Sequence, residues 1–229
     1  MKPVAKVGIG LLYFNKDLPQ FERCLERMQF QLWASGLVTD IQQIPRSNKA
    51  VDMARNEIVH EAFRMGLDAV IWLDTDMIYP DTALVDLVRM CNAGHPVAAG
   101  IYRRGRFPFE ILTQREGGEW SQLDDLHEHA DGGVTRVKLT AGGYSITHID
   151  AYKAVSAHML KTTGKPVPWY CNWDFVGEAG QCGEDTFFMV RLVEAGVPVV
   201  VDPNLHAVHW NVYGPIPVVD DQPEMEYCQ

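Results

Sequence analysis

The chain contains a hydrophobic run that ends abruptly at two carboxylates, Ile71-Trp72-Leu73-Asp74-Thr75-Asp76-Met77. The apolar residues before Asp74 have the length and composition of a buried strand. Two acids separated by one small residue, directly beyond a strand, can reach one hard divalent cation. Oxygen ligands of this kind select Mg²⁺ or Mn²⁺. The competing interpretation is that Asp74 caps a turn and Asp76 is solvated.

The segments around this run alternate between strand-like and helix-like patterns. We predict strands at 7–12, 38–44 and 97–102, and helices at 17–36, 49–63 and 81–91 that stop at or near Gly36, Gly66 and Gly94. Repeated βαβ units of this kind predict an α/β fold, with a mostly parallel central sheet and helices on both faces. Ligands of such sheets bind beyond the carboxyl ends of the strands, and the two acids follow such an end.

The second half of the chain has a different pattern. Short strand-like stretches fill 107–149, with turns at Gly117-Gly118 and Asp131-Gly132-Gly133, and they predict a small antiparallel extension. A helix at 150–160, a Gly- and Trp-containing loop, a helix at 184–194 and a buried strand at 197–201 follow. We predict a single domain over 1–213 and an irregular, acidic, proline-containing tail over 214–229.

The charge of the chain limits the classes of partner. With 229 residues and a formal net charge of −10, the protein is poorly suited to a nucleic-acid backbone, which makes nucleic acid an unfavoured partner. The basic cluster Arg103, Arg104 and Arg106 suits one or two phosphates instead. Five cysteines without CxxC spacing predict neither a disulfide framework nor a zinc ribbon. Because no apolar run approaches the ~20 residues of a membrane span, we expect a cytoplasmic protein with no membrane partner.

Four segments, in this order, resemble the glycosyltransferases of the GT-A fold, in particular the family-2-like enzymes. These are the first strand with its polar end, Ala54-Arg55-Asn56, Asp74-Thr75-Asp76, and Gly183-Glu184-Asp185 followed by a stretch that ends at His209. The resemblance implies a GT-A-like (Rossmann-like) fold and a hexosyltransferase-like activity that depends on a nucleotide sugar. It also implies Mn²⁺ or Mg²⁺ as cofactor, a UDP- or GDP-type donor and a hydroxyl-bearing acceptor.

The resemblance also implies roles for the acids and for one histidine. Asp74 and Asp76 would bind the metal that bridges the donor diphosphate, with Thr75 at the donor between them. Asp185, beside Glu184, would be the catalytic base of an inverting enzyme; in a retaining enzyme it would orient the substrate. His209 would complete the metal shell, and His206 is the competing choice.

Further positions follow from the same resemblance. Arg55, Asn56, Gly142 and Gly143 would lie at the donor, where arginine can fork onto phosphate and glycine permits close approach. Arg103, Arg104, Arg106 and Trp173 would bind the acceptor or a phosphate; an indole face stacks well on a sugar ring.

Two other functions are compatible with the same sheet. A nucleotidyltransferase would need a Gly-rich, basic loop after the first strand, which Leu12-Tyr13-Phe14-Asn15 does not supply. A non-catalytic domain that binds a nucleotide or carbohydrate is the other alternative. The residues leave open the sugar, the base, the acceptor, the oligomeric state and the stereochemistry of transfer.

Overall fold

The structure, a computed structural model, describes residues 1–13, 19–103, 110–115, 120–171, 173–174, 181–211, 214–216 and 218. The strands are β1 (Lys6–Tyr13), β2 (Asp40–Ser47), β3 (Ala69–Asp74), β4 (Met77–Ile78), β5 (Val97–Ile101), β6 (Thr113–Gln114), β7 (Thr135–Val137), β8 (Leu139–Thr140), β9 (Tyr144–His148), β10 (Trp173–Asp174), β11 (Gln181–Cys182), β12 (Val199–His206), β13 (Val208–Asn211) and β14 (Gly214–Ile216). The helices are α1 (Pro19–Ala34), α2 (Val51–Met65), α3 (Ala83–Asn92), α4 (Leu123–Glu128), α5 (Ile149–Thr163) and α6 (Glu184–Glu194).

A seven-stranded sheet in the order β2-β1-β3-β9-β5-β12-β7 forms the centre of the molecule. The pairs β2–β1, β1–β3 and β5–β12 are parallel, whereas β9 runs antiparallel between β3 and β5. Because β9 is antiparallel to β3, the chain enters β9 beside the carboxyl end of β3. Gly142 and Gly143, which precede β9, therefore lie next to Asp74.

Helices cover both faces of this sheet, as predicted for the α/β class. Phe21 and Leu25 of α1 pack with α3 on one face, and Ile58 of α2 packs with α5 and α6 on the other. The side chains of β3 alternate between these layers: Ile71 and Leu73 face α1 and α3, and Val70 and Trp72 face the opposite layer. By the same period of two, Asp74 points to the Trp72 face, where α2 and α6 lie.

The predicted helix ends are largely confirmed. Helix α2 covers Val51–Met65, shifted by two residues from the predicted 49–63, and ends at Gly66 with φ 65°. A left-handed residue of this kind lets the helix stop while its last carbonyls stay bonded. Glycines also have positive φ after α1, α3 and α6, at Gly36, Gly94 and Gly196.

Three predictions of local structure need correction. The stretch 107–149 holds a helix, α4, and the strand β9 that joins the main sheet, besides the short antiparallel strands expected there. Helix α3 begins at Ala83, after Thr82 at the N-cap, and not at the predicted 81; Asp81 instead pairs with Arg27 of α1 at 3.1 Å. Strand β12 continues past Val201 to His206, with an irregular register between these two residues.

The C-terminal end of the chain is partly described. Gly214–Ile216 forms β14, which pairs with β13 inside the stretch predicted to be a tail, and Val218 is buried. Residues 217 and 219–229 lie outside the described part of the chain, so the division into domain and tail stays a prediction. Among the residues with described positions, no helix has the length and apolar character to cross a bilayer.

One buried acid fastens the N-terminal segment to the sheet. The carboxylate of Asp68, just before β3, accepts the backbone N–H groups of Ala5 and Lys6 at 3.0 and 2.9 Å, and Lys2 reaches it at 3.3 Å. Burial raises the pKa of Asp68, but these three hydrogen bonds outweigh burial, and the net pKa is lowered. Lys2 is mostly exposed, so solvent screens its share of the effect.

We expect Asp68→Asn to lower the free energy of unfolding by about 1.5–3 kcal/mol at neutral pH, the range for hydrogen bonds to a charged group. A lowered folded-state pKa contributes stability above the unfolded pKa of about 3.9, and this contribution is lost as the pH falls through the folded value. The difference in the free energy of unfolding between the wild-type protein and D68N should therefore become smaller below about pH 4. Urea unfolding of both proteins at a series of pH values measures this difference.

Asp81→Asn is the matched control, because Asp81 is an exposed partner in an ion pair with Arg27. Pairs of this kind contribute about 0–1 kcal/mol. Equal decreases in the free energy of unfolding in D68N and D81N would contradict the role assigned to Asp68.

Candidate active site

Residues from four separate segments meet at the carboxyl end of β3. The backbone N–H of Asp74 donates to the carbonyl of Gly143 at 2.9 Å, and the N–H of Gly142 donates to Oδ2 of Asp185 at 3.2 Å. Arg55 of α2 lies between Asp74 and the start of α6. The predicted donor-side residues Asp74, Gly142 and Gly143 thus lie at the same strand end as the predicted base, Asp185, which Gly142 contacts directly.

Gly143 has no room for a side chain. A Cβ atom at this position would lie 1.9 Å from Oδ2 of Asp74, far inside van der Waals contact. At Gly142 the nearest atoms, Cβ of Asp185 and Nη2 of Arg55, would lie at 3.1 and 3.3 Å. The glycine pair therefore lets the two carboxylates approach the same stretch of backbone.

Two buried tyrosines, which the sequence interpretation did not include in the site, hold the Gly143 backbone. The hydroxyl of Tyr102, at the end of β5, accepts the N–H of Gly143 at 3.1 Å. The hydroxyl of Tyr79 lies 2.8 Å from the carbonyl of Gly143 and 2.9 Å from that of Asp74, and it donates its proton to this pair. No sequence pattern indicates these contacts, because Gly143 is 64 residues from Tyr79.

Arg55 is buried, with 3% of its surface exposed. Its Nε donates to Oε1 of Glu184 at 3.1 Å, and its Nη2 lies 3.8 Å from Oδ1 of Asp74. The rings of Trp72 and Tyr170 lie 4.8 and 5.6 Å from the guanidinium carbon. Burial lowers the pKa of Arg55, but Asp74 and Glu184 outweigh burial and raise it, so the side chain is a permanent internal cation.

Asp185 is oriented by backbone groups on both oxygens. Its Oδ1 accepts the N–H of Thr186 at 2.7 Å, in the first turn of α6, and its Oδ2 accepts from Gly142. Glu184 instead pairs with Arg55. Burial raises the pKa of Glu184, Arg55 opposes this, and the net pKa is raised. Of the two predicted catalytic acids, Glu184 is therefore the one that pairs with Arg55, and among the described residues Asp185 is held by backbone N–H groups.

Asp74 lies in an acidic environment. Burial raises its pKa to about 6, with Arg55 opposing and the neighbouring Asp76 and Asp185 adding to the increase. A third of the side-chain surface stays accessible, and solvent there reduces the effect. A group of carboxylates that repel one another in this way is stabilised by an added cation.

His209 faces the second acid of the Asp-x-Asp segment. Strand β13 pairs with β4 so that His209 lies opposite Met77, and the Nε2 of His209 lies 3.2 Å from Oδ2 of Asp76. The Nδ1 lies 3.2 Å from the carbonyl of Arg103. Because a carbonyl only accepts, Nδ1 carries the proton of this bond, and Nε2 is directed at the carboxylate.

The Asp76–His209 contact needs a cation. An ionised carboxylate accepts hydrogen bonds only, so either a second proton on the ring or a metal ion has to lie between Nε2 and Asp76. Burial lowers the pKa of His209, but Asp76 outweighs burial, and the net pKa is raised. An Nδ1–H held by a backbone carbonyl is the arrangement that directs Nε2 to a metal, so these residues fit a divalent cation.

The other predicted residues lie in different environments. His206 bonds to the carbonyl of Pro203 at 2.6 Å, and His209 is the histidine that contacts the Asp-x-Asp segment. The hydroxyl of Thr75 donates to the carbonyl of Leu12 at 3.2 Å, and the amide of Asn56 bonds to the backbone of Asp52 and Tyr170. Arg104, Arg106 and the side chain of Trp173 lie outside the described residues.

Within the part of the chain that the structure describes, no group of three or more His, Cys, Asp or Glu residues is arranged to hold a metal by itself. Asp76 and His209 therefore supply an incomplete set of ligands. A metal bound there has open positions for oxygens of water or of a ligand.

Comparison with known proteins bears on the fold. No protein-family model matches the chain, and no curated protein sequence matches it either. The structure of A197 from STIV superposes with a TM-score of 0.58 at 14% identity, covering 90% of this chain and 86% of that one. GalNAc-T7, solved with UDP, GalNAc and Mn²⁺, superposes with a TM-score of 0.55 at 12% identity, covering 98% of this chain and 46% of that one.

The fold is GT-A-like. The prediction of fold class is therefore confirmed. The TM-scores of 0.58 and 0.55 show a shared fold, and at identities of 14% and 12% the likeness does not extend to substrate or reaction. The chain also spans about half the length of GalNAc-T7, so chemistry has to be argued from the site.

We expect Gly143→Ala to displace the Asp74 carboxylate and to lower the free energy of unfolding by about 1–3 kcal/mol, as overpacking does. Gly142→Ala is the graded control, because its nearest contacts at 3.1 and 3.3 Å need a shift of only a few tenths of an ångström. Thermal unfolding of both variants measures the difference. A G143A protein as stable as G142A would contradict the contact with Asp74.

Proposed function

We propose that this protein is a metal-dependent glycosyltransferase, which moves a sugar from a nucleoside-diphosphate donor to an acceptor hydroxyl. The observation that supports this most is the Asp76–His209 pair, whose facing acceptors need a cation, within a cluster that also holds Asp74 and Asp185. The GT-A-like fold supports it further, because GalNAc-T7 was solved with UDP, GalNAc and Mn²⁺.

Asp76 and His209 would hold the metal, Mn²⁺ or Mg²⁺, with Asp74 beside them. When bound, the ion would stabilise the negative charge that develops on the leaving diphosphate. Gly142 and Gly143 would serve the donor site by letting the carboxylates of Asp74 and Asp185 lie directly against the backbone there. The remaining metal ligands would be water and phosphate oxygens, in keeping with the incomplete protein shell.

Asp185 would act as the base. The acceptor oxygen forms a bond to the anomeric carbon, and its proton passes to a carboxylate oxygen of Asp185. The bond between the anomeric carbon and the diphosphate oxygen breaks, and its electron pair leaves with the nucleoside diphosphate. The backbone N–H groups of Gly142 and Thr186 fix the direction of the carboxylate, and a positioned base needs such fixing. This assignment applies to transfer with inversion.

In a thermal-shift assay, we expect UDP or GDP to raise the melting temperature of the wild-type protein only when Mn²⁺ is present, because ligands that bind the folded state stabilise it. His209→Ala should weaken this Mn²⁺-dependent binding about tenfold or more. His206→Ala is the matched control, since His206 bonds to Pro203. No stabilisation of the wild-type protein by either nucleotide with Mn²⁺ would contradict the proposal.

We expect Asp185→Asn to reduce kcat for sugar transfer by about 10²–10⁴-fold, the usual contribution of a general base, while the nucleotide Kd stays close to the wild-type value. Release of UDP or GDP from the corresponding nucleotide sugars, screened with hydroxyl acceptors, measures kcat. Asp81→Asn, at an exposed ion pair, is the control. Undiminished turnover in D185N would remove the base assignment while leaving the metal site intact.

A further inference from the structure

Arg55 is buried among groups from several segments of the protein. Its Nε donates to Glu184, its Nη2 lies near Asp74, and Trp72 and Tyr170 lie within 6 Å of its guanidinium carbon. The side chain is 4% exposed. An arginine that forks onto a phosphate needs an edge that the phosphate can reach, and a side chain buried to this extent does not offer one.

The two acids that Arg55 contacts belong to different halves of the site. Asp74 ends β3 on the donor and metal side, and Glu184 begins α6 directly before Asp185. The two positions are separated by 110 residues along the chain. Because the same buried guanidinium contacts both acids, it sets the distance between Asp74 and Glu184. Removing Arg55 would leave these two carboxylates without their counter-charge.

The neighbouring Asn56 extends this connection to a third segment. Its side-chain amide donates to the carbonyl of Tyr170 at 2.7 Å and accepts the N–H of Tyr170 at 3.2 Å. The same tyrosine ring lies over Arg55. Two consecutive residues of α2 therefore hold β3, the start of α6 and the backbone at residue 170 together.

We propose that Arg55 is a positioning residue, which sets the separation between the Asp74 end of β3 and the Asp185 carboxylate at the start of α6, and that it does not bind donor phosphate. The inference rests on the proposed function, since these carboxylates are its metal-side and base residues. Transfer requires both to be held in one geometry, and a displacement of about 1 Å can cost about 100-fold in rate.

The test compares Arg55→Lys, Glu184→Gln and the double variant, with Arg64→Lys as the matched control. Arg64 lies on the same helix, is exposed and pairs with Glu61. Lysine keeps the charge at position 55 but cannot contact two carboxylates and two rings as a planar guanidinium does. The probes for Kd are UDP and GDP, each with Mn²⁺. The probe for kcat is release of UDP or GDP from UDP-GalNAc, UDP-glucose and GDP-mannose.

We expect R55K to lower kcat about 100-fold while the nucleotide Kd changes by no more than about threefold, and R64K to leave both unchanged. The double variant should be no slower than the slower single variant, because both substitutions remove the same contact. Hydrogen exchange should be faster in R55K at residues 183–188 and 169–171, far along the chain from the substitution.

A phosphate ligand would give a different result. The nucleotide Kd of R55K would rise about tenfold or more. The reductions in kcat caused by R55K and E184Q would multiply in the double variant, and hydrogen exchange at residues 183–188 would not change. These results would overturn the proposal. If the wild-type protein binds no nucleotide and releases no UDP or GDP from the nucleotide sugars, the proposed function fails. Exchange then decides the positioning role alone: faster exchange at 183–188 supports it, and unchanged exchange overturns it.

Discussion

The site depends on one backbone contact, the hydrogen bond from Asp74 N–H to the Gly143 carbonyl. It exists because β9 is inserted antiparallel between β3 and β5, which brings the start of β9 to the carboxyl end of β3. Gly143 permits the approach, and the hydroxyls of Tyr79 and Tyr102 hold its peptide groups in place. The remaining features of the site, from Asp185 to Arg55, are arranged around this contact.

Charge balance explains how several acids can share this small region. Arg55 is a buried cation for Asp74 and Glu184, and His209 faces Asp76. Arg55 is fixed, whereas the position between Asp76 and His209 can take either a proton or a metal ion. The acids of the site are thus neutralised in two ways. Arg55 is a permanent cation, and the cation between Asp76 and His209 can be exchanged.

The sequence predicted features that depend on neighbouring residues. The apolar run before Asp74, the glycine stops such as Gly66 and the helix over 184–194 follow from local patterns, and the structure confirms them. Features that depend on distant pairing were not predicted. The central place of β9, the short helix α4 and the contacts of Tyr79 and Tyr102 need partners that local periodicity does not identify. The resemblance named Arg55 as a donor ligand, and only its burial indicates a positioning role.

The most direct test of the account is a crystal structure of the protein with Mn²⁺ and UDP or GDP, with anomalous diffraction recorded at the manganese edge. The account predicts one anomalous peak between Oδ2 of Asp76 and Nε2 of His209, with diphosphate oxygens completing the ligand shell and Arg55 still paired with Glu184. A diphosphate bound to Arg55, or manganese bound away from Asp76 and His209, would contradict it.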